Sequence, residues 1–168
     1  MELEERVAEL ERRMAALEGA ERPVPEAADA TFWALEGLKA DLAGAGARGE
    51  DGGVLFTGTV RLPTDERYEW QFGALTERLL DEEWAETADS FAALGHPVRL
   101  RLLREILGGR RTAAGLAELA EIGTTGQIYH HLRQLTGAGW LHTTGRGRYE
   151  VPAARVVPLL VMLTAARP

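Results

Sequence analysis

The side chains best suited to bind a ligand form a polar stretch at 124–133 and a glycine-rich tip at 144–148. Hydroxyl, amide, imidazole and guanidinium groups donate hydrogen bonds to base edges and to phosphate oxygens. The tip carries arginine, whose planar fork matches two phosphate oxygens at once. We therefore predict that a nucleic acid is contacted by Thr124, Thr125, Gly126, Gln127, Tyr129, His130, Arg133, Arg146 and Arg148.

Several of these positions allow a second interpretation. Thr124 and Gln127 form the T-x-x-Q pattern of a capping box, so the Gln127 amide either caps the helix or contacts a base. Gly126 costs roughly 1 kcal/mol relative to alanine inside a helix, which indicates that a group such as a sugar-phosphate strand approaches the backbone closely. His130 and His131 point about 100° apart and do not readily share a metal ion. We expect His130 to face outward and His131 to pack, and an ordinary solvated hairpin is the alternative for the arginine-bearing tip.

The elements that would position these groups are three helices followed by a strand pair. His96-Pro97 begins the first helix, because a first-turn proline is tolerated, and Gly108-Gly109 ends it. A turn at Ile122-Gly123 separates the other two. This order predicts a helix-turn-helix whose last helix enters a major groove and is braced by a β-wing. The helices are expected at about 97–107, 112–121 and 124–138, and the strands at 140–143 and 148–151.

Two stretches carry a resemblance to a known family. HPVRLRLL at 96–103 and HLRQLTGAGWL at 131–141 resemble the winged helix-turn-helix domain of the ArsR-type bacterial regulators, over about residues 82–166. The resemblance implies a homodimer on double-stranded DNA, with recognition helices in successive major grooves roughly 34 Å apart. It also implies a dimer interface through the terminal helices, and a repressor.

Many proteins of that family sense metals through cysteines before the turn, or through Asp and His on the last helix. The matching stretches here, 115–123 and 154–166, hold no Cys, His or Asp. Since soft-metal sites need thiolates or imidazoles, we expect no metal sensing and no cofactor.

Dimer contacts are predicted at both ends of the chain. Residues 1–19 carry a heptad seam, which predicts a short coiled-coil helix that pairs between subunits; the alternatives are docking within one subunit and fraying. The segment 154–166 is apolar on nearly all sides and suits burial between subunits. The predicted dimerisation residues are Leu3, Val7, Leu10, Met14, Leu17, Val157, Leu160 and Val161.

Residues 20–74 predict an extension made of a helix at 27–43 and a β-hairpin, 54–62 paired with 67–73. We expect the helix to have five apolar side chains available for burial: Phe32, Trp33, Leu35, Leu38 and Leu42. On the hairpin, Val54, Phe56, Gly58, Val60 and Leu62 are expected on one face and Tyr68, Trp70 and Phe72 on another. The extension could scaffold a dimer, enclose an organic ligand or bind a protein partner.

A single helix is expected over 75–94, buried through Leu79, Leu80, Trp84, Ala88, Phe91 and Leu94. The predicted class is mainly α with β-hairpins: a coiled-coil helix (1–19), the extension (20–74) and a winged helix-turn-helix domain with a C-terminal dimerisation helix (75–168).

Charge is divided unevenly along the 168 residues, whose net charge is −7. Residues 1–95 hold 22 acidic and 9 basic side chains, a balance of −13, whereas residues 96–168 hold 4 and 10, a balance of +6. A phosphate-binding surface needs only a local positive field. The C-terminal half is therefore the half predicted to meet an anionic partner.

Bulk features exclude other classes. The chain has no cysteine, no apolar run long enough to span a membrane and no secretory leader, which predicts a cytoplasmic protein. It shows no nucleophile–base pair, phosphate-binding glycine loop or metal constellation, so no enzyme is expected. The sequence thus predicts a sequence-specific DNA-binding transcriptional regulator. The alternative is a winged-helix interaction module that recruits a partner through its N-terminal region.

Overall fold

A computed structural model describes residues 6–7, 32–119, 123–145 and 147–167. In chain order the elements are α1 (Trp33–Gly44), a 3₁₀ turn (Gly46–Gly49), β1 (Gly53–Arg61), β2 (Arg67–Leu75), α2 (Thr76–Asp81), α3 (Ala85–Leu94), α4 (Pro97–Leu107), α5 (Ala113–Ala117), α6 (Thr125–Gly137), β3 (His142–Thr143), β4 (Tyr149–Glu150) and α7 (Ala153–Ala165). Over these ranges, every helix is too short or too polar to cross a bilayer.

The architecture is a mainly helical winged helix-turn-helix with an additional β-hairpin, which confirms the predicted fold class. Helices α4 to α6 form the helix-turn-helix, and β3 and β4 pair antiparallel as the wing. An isolated bridge joins Thr112 to Arg148, so the start of α5 adds a third strand position to the wing.

The core lies where α4, α5, α6 and α7 meet the wing. Apolar side chains recur every three or four residues on each helix, and the stripes face one another. On α4, Leu102 is fully buried, whereas Leu100 and Leu107 are half-buried. The most enclosed side chains are Trp140, Leu102, Leu103, Ile106, Leu116, Ile128, Leu132, Leu135, Leu141, Leu159, Val156 and Val157.

The β1–β2 hairpin packs on this domain. Leu62, at the end of β1, belongs to the same hydrophobic core as α4 and α6. Gly58 lies so close to α7 that a Cβ there would come within 2.7 Å of the Val157 Cγ1 atom. At the hairpin turn, Thr64 lies against Gly109, which has φ 102°. The hairpin therefore covers α7 and the α4–α5 loop.

The cross-strand register corrects one expectation about the hairpin. Phe56 lies opposite Phe72 and Val60 opposite Tyr68. Because directly paired residues project to the same side of a sheet, the two apolar sets share one face instead of occupying different ones. Only the end of that face near the turn is covered by the core.

The single helix expected over 75–94 is wrong, because α2 ends at Asp81 and α3 begins at Ala85. Asp81, Glu82 and Glu83 place consecutive negative charges at a helix C-terminus, where the macrodipole disfavours them. Glu82 is extended, and the Trp84 indole N–H donates to the Leu79 carbonyl at 2.7 Å across the break. Trp84 is 64% exposed and Phe91 60% exposed, and Leu80 is exposed as well, contrary to the prediction.

Helix α1 also differs from its prediction. It begins at Trp33, and Phe32, Trp33 and Leu35 are exposed. Leu38 and Leu42 are half-buried, and Leu42 packs against Gly53 at the start of β1. The first part of the predicted helix, 27–31, lies outside the described residues. So do four of the five seam residues, Leu3, Leu10, Met14 and Leu17; Val7 is exposed.

Candidate nucleic-acid interface

Helix α6 begins with a complete capping box. The Thr124 Oγ1 accepts a hydrogen bond from the Gln127 N–H at 3.4 Å, and the Gln127 Oε1 accepts one from the Thr124 N–H at 2.8 Å. Gly123 precedes them with φ 107°, and any Cβ there would collide with the Gln127 amide. The carbonyl end of that amide is thus engaged in the cap.

The outward face of α6 carries Gly126, His130 and Arg133, spaced four and three residues apart. This spacing places them opposite the buried stripe of the same helix. Thr125 and Tyr129 flank them, and all five are exposed. A Cβ on Gly126 would meet nothing within 4 Å, so no contact among the described residues accounts for the glycine.

The guanidinium groups of Arg133 and Arg148 differ in their ion pairing. Arg133 is exposed and forms no ion pair with any other residue that the structure describes. Arg148 is also exposed, but its Nε lies 3.4 Å from the Glu150 Oε1 atom. The third predicted arginine, Arg146, lies outside the described residues.

The wing tip is a tight turn built on glycine. Gly145 and Gly147 have φ of 110° and 72°, in the left-handed region that favours glycine. The Thr144 N–H donates to the Arg148 carbonyl at 3.0 Å, and the Arg148 N–H donates to the Gly145 carbonyl at 2.9 Å. The turn therefore places Arg148 at the base of the tip.

Arg99 joins the helices that support α6, a role that its position in the sequence did not reveal. Its guanidinium donates to the carbonyls of Ala92 and Ala93, at the C-terminal end of α3, and to the Gln134 Oε1 at 2.6 Å. Orphan carbonyls at a helix end are commonly satisfied in this way. One side chain thus holds α3, α4 and α6 together.

His131 packs at the α4–α6 contact, as expected. Its ring centroid lies 4.6 Å from that of His96, whose Nδ1 caps α4 by accepting from the Val98 N–H. The His131 Nδ1 is buried without a hydrogen-bond partner among the described residues. Burial, and then the neighbouring His96, Arg99 and His130, lower the pKa of His131 below its ordinary value of 6.5.

A chain of ionic contacts runs from the hairpin turn to the wing. The nearly buried Arg111 guanidinium pairs with the Glu66 carboxylate and, at 3.2 Å, with that of Glu150, which also meets Arg148. The hydrogen bond from Arg111 is the main cause that lowers the pKa of Glu66, and the same bond raises the pKa of Arg111. Sequence patterns gave no signal for this network, because its members come from three separate elements.

The predicted dimerisation residues of α7 occupy different environments. Val157 is buried beneath the hairpin of its own chain, so it offers no free surface. Leu160 and Val161 are half-buried, and Leu160 lines an open groove of about 570 Å³ between α4 and α7. Arg101 and Arg104 flank that groove.

The described part of the extension forms an open groove of about 600 Å³ where α1 meets the hairpin, lined by Trp33, Trp70 and Gln71 among others. The expectation of an organic ligand or a protein partner there stays a prediction. No group of three His, Asp or Glu side chains placed to hold a metal ion occurs among the residues described.

The capped and exposed α6, its buttressing helices and the adjoining wing define a winged helix-turn-helix domain. A family model described as a helix-turn-helix domain matches residues 94–143, from the end of α3 through β3. No curated protein and no solved structure matches the chain. The domain indicates a DNA-binding regulator.

Proposed function

We propose that this protein is a sequence-specific transcriptional repressor of ArsR-like type that binds double-stranded DNA as a cytoplasmic homodimer and does not sense metals. The observation that carries the proposal is the outward face of α6, where Gly126, His130 and Arg133, which has no ionic partner among the described residues, stand opposite a fully buried stripe. Repression and the ArsR-like type rest on the resemblance of 96–103 and 131–141 to that family.

Each exposed group on this face has a distinct task in the proposed complex. His130 and Thr125 donate to base edges or phosphates, and Arg133 to the DNA backbone or a guanine. Gly126 lets a sugar-phosphate strand approach the helix. Arg148, and Arg146 beside it in sequence, supply wing contacts to the adjacent backbone.

Rigid presentation of α6 supports the same proposal. The capping box fixes the start of the helix, and Arg99 ties its last turn, at Gln134, to α3 and α4. Because other side chains make these contacts, those of His130 and Arg133 are free for a ligand.

Recovery of DNA fragments from genomic DNA with purified protein, followed by sequencing and fluorescence anisotropy on the recovered sites, tests the proposal. We expect a shared sequence element bound more tightly than unrelated DNA, with affinity that falls as salt rises. Equal binding to all fragments, or none, would contradict it.

A protein-interaction module is the second candidate, favoured by the exposed Leu80 on α2, Phe91 on α3 and Trp84 between them. In that case the charge reversal Arg133→Glu would leave regulation of a reporter gene intact. The DNA-binding proposal predicts that Arg133→Glu abolishes it.

A further inference from the structure

Strands β1 and β2 form a two-stranded sheet, so each has one edge without a backbone partner among the described elements. Helices α2 and α7 contact both strands, whereas α1 contacts β1, where residues such as Leu55 and Phe56 are half-buried. By contrast, every residue of β2 from Glu69 to Gly73 is exposed, on both faces of the sheet. No backbone hydrogen bond from another described element reaches this stretch.

The hydrogen bonds at the two ends of the hairpin show which backbone groups of β2 face outward. The Leu62 N–H donates to the Glu66 carbonyl, and the Thr76 N–H donates to the Gly52 carbonyl. Residues opposite each other in an antiparallel pair alternate between bonded and non-bonded. Even-numbered residues of β2 therefore bond to β1, and the N–H and C=O groups of Arg67, Glu69, Gln71 and Gly73 point away from it.

This edge lacks the features that keep edge strands from pairing. It is nine residues long and contains no proline and no lysine, and Glu69 is the one charge between Tyr68 and Leu75. Trp70 is 40% exposed and Phe72 55% exposed beside it. A long, apolar, unprotected edge is a template for another strand.

We propose that two copies of the chain join through their β2 strands, antiparallel about a two-fold axis at Gln71, and form a four-stranded sheet. The inference rests on the homodimer of the proposed function and names the surface that forms it.

The sequence of β2 is complementary to itself in this register. When the two-fold axis passes through Gln71, each of the nine residues of one strand has a partner on the other. Moving the axis by one residue leaves two residues of each strand without a partner. Trp70 of each copy then lies opposite Phe72 of the other, and aromatic pairs stabilise adjacent strands. Glu69 faces Gly73 and Arg67 faces Leu75, so no like charges oppose each other.

A single cysteine tests the register, because the chain contains none. In the proposed dimer the two Gln71 residues form a bonded pair with Cα atoms about 5.5 Å apart, within the range of roughly 4.4–6.8 Å that a disulfide spans. Gln71→Cys should therefore cross-link to itself on mild oxidation, as a dimer band on non-reducing gels.

Glu69→Cys is the matched control, on the same strand and the same face. In this register its two copies are four residues apart along the sheet, about 14 Å, and should not cross-link. Absence of the Gln71→Cys dimer, or equal cross-linking of both variants, would overturn the proposal.

Charge variants at position 71 test association without a covalent bond. Sedimentation velocity should show that Gln71→Glu and Gln71→Lys each dimerise roughly fivefold more weakly than the wild type, since like charges meet on the axis. A mixture of the two should recover the dimer, and Thr57→Glu, one strand inward, should behave as the wild type. Dimers unchanged in both variants would place the contact elsewhere, and a monomeric wild type would show that the copies do not associate; either result would overturn the inference.

DNA binding is measured on the same samples. If the wild type binds a specific DNA site but changes at position 71 do not affect association, the interface is refuted and the proposed regulatory function stands. Specific cross-linking at Gln71→Cys without any DNA binding would refute the proposed function alone.

Discussion

At the scale of single residues, some polar side chains on and around α6 hold the helix in place, whereas others make no such contact among the described residues. The Gln127 carbonyl is engaged in the cap, and Arg99 is engaged with three helices, whereas Arg133 has no ionic partner among the described residues. Residue types alone do not distinguish these roles, because the same groups serve both.

Gly126 gives the sharpest test of this division. Gly126→Ala should stabilise the protein by about 1 kcal/mol, since alanine is the better helix former and its Cβ meets nothing within 4 Å. DNA affinity should nevertheless fall, because the methyl group would lie where the DNA strand approaches. Urea unfolding and fluorescence anisotropy measure the two effects.

Gly137→Ala is the matched control, at the other end of α6 and also without a neighbour within 4 Å. It should leave DNA affinity unchanged. Full affinity in Gly126→Ala would show that no strand approaches this position.

His131 should make stability depend on pH. Its pKa is lower in the folded chain than the ordinary 6.5, so below about pH 6.5 the unfolded chain binds more protons. The free energy of unfolding should therefore decrease as the pH falls from 6.5 towards the folded pKa. The charged and titratable groups facing it are His96 and Arg99 from α4, and His130 from α6.

Denaturant titrations across this pH range, on the wild type and on His131→Gln, measure the effect. The variant should lose most of the slope, because its side chain does not titrate. An undiminished slope would assign the pH dependence to another group.

At the scale of elements, close packing between the hairpin and α7 depends on one glycine. Gly58→Ala should destabilise the protein by about 1–3 kcal/mol, the usual cost of forcing a methyl group into a packed contact, because its Cβ would lie 2.7 Å from the Val157 Cγ1. Chemical unfolding measures the loss.

Gly37→Ala provides the comparison, since it is helical and exposed in α1 with no atom within 4 Å of its Cβ. It should be neutral or stabilising. Equal stability of Gly58→Ala and the wild type would mean that the hairpin can shift away from α7 at little cost.

The sequence predicted those elements whose own residues show a local pattern, such as an apolar stripe or a capping signal. Helices α4 and α6 have amphipathic stripes and capping signals, and β1 and β2 alternate around a turn, so each was expected within a few residues. The break at Glu82 was missed because the apolar pattern continues through it. Leu80, Trp84 and Phe91 were assigned to a core because periodicity gives the apolar face of a helix but does not show what covers it.

The sequence likewise predicted only some features of the candidate site. Exposure of Thr125, His130 and Arg133 follows from the period of α6, whereas Arg99 and Arg111 are positioned by contacts between residues distant in sequence. Such contacts leave no local pattern.

At the scale of the whole molecule, charge and exposed apolar surface are segregated. Residues 1–95 carry a balance of −13 and residues 96–168 one of +6. Exposed large apolar side chains are concentrated before Gly95 among the described residues. The basic half thus presents polar groups outward, and the acidic half presents surface suited to association.

This segregation predicts which arginines determine salt dependence. Arg133→Ala should reduce the slope of log affinity against log salt by about 1, the effect of losing one phosphate contact. Arg78→Ala removes the same charge from α2, in the acidic half, and should leave the slope unchanged. Anisotropy titrations at several salt concentrations compare them, and equal slopes for both variants would argue against a contact at Arg133.

The contacts from Glu66 through Arg111 and Glu150 to Arg148 have a mechanical consequence. One guanidinium anchors both the tip of the N-terminal hairpin and the strand that leads into the wing. If Glu66 is withdrawn, Glu150 is the one carboxylate left to Arg111 among the described residues, and Arg111 and Arg148 compete for the same Glu150 oxygen. A partner that binds the hairpin is therefore expected to change the ion pairing of the wing.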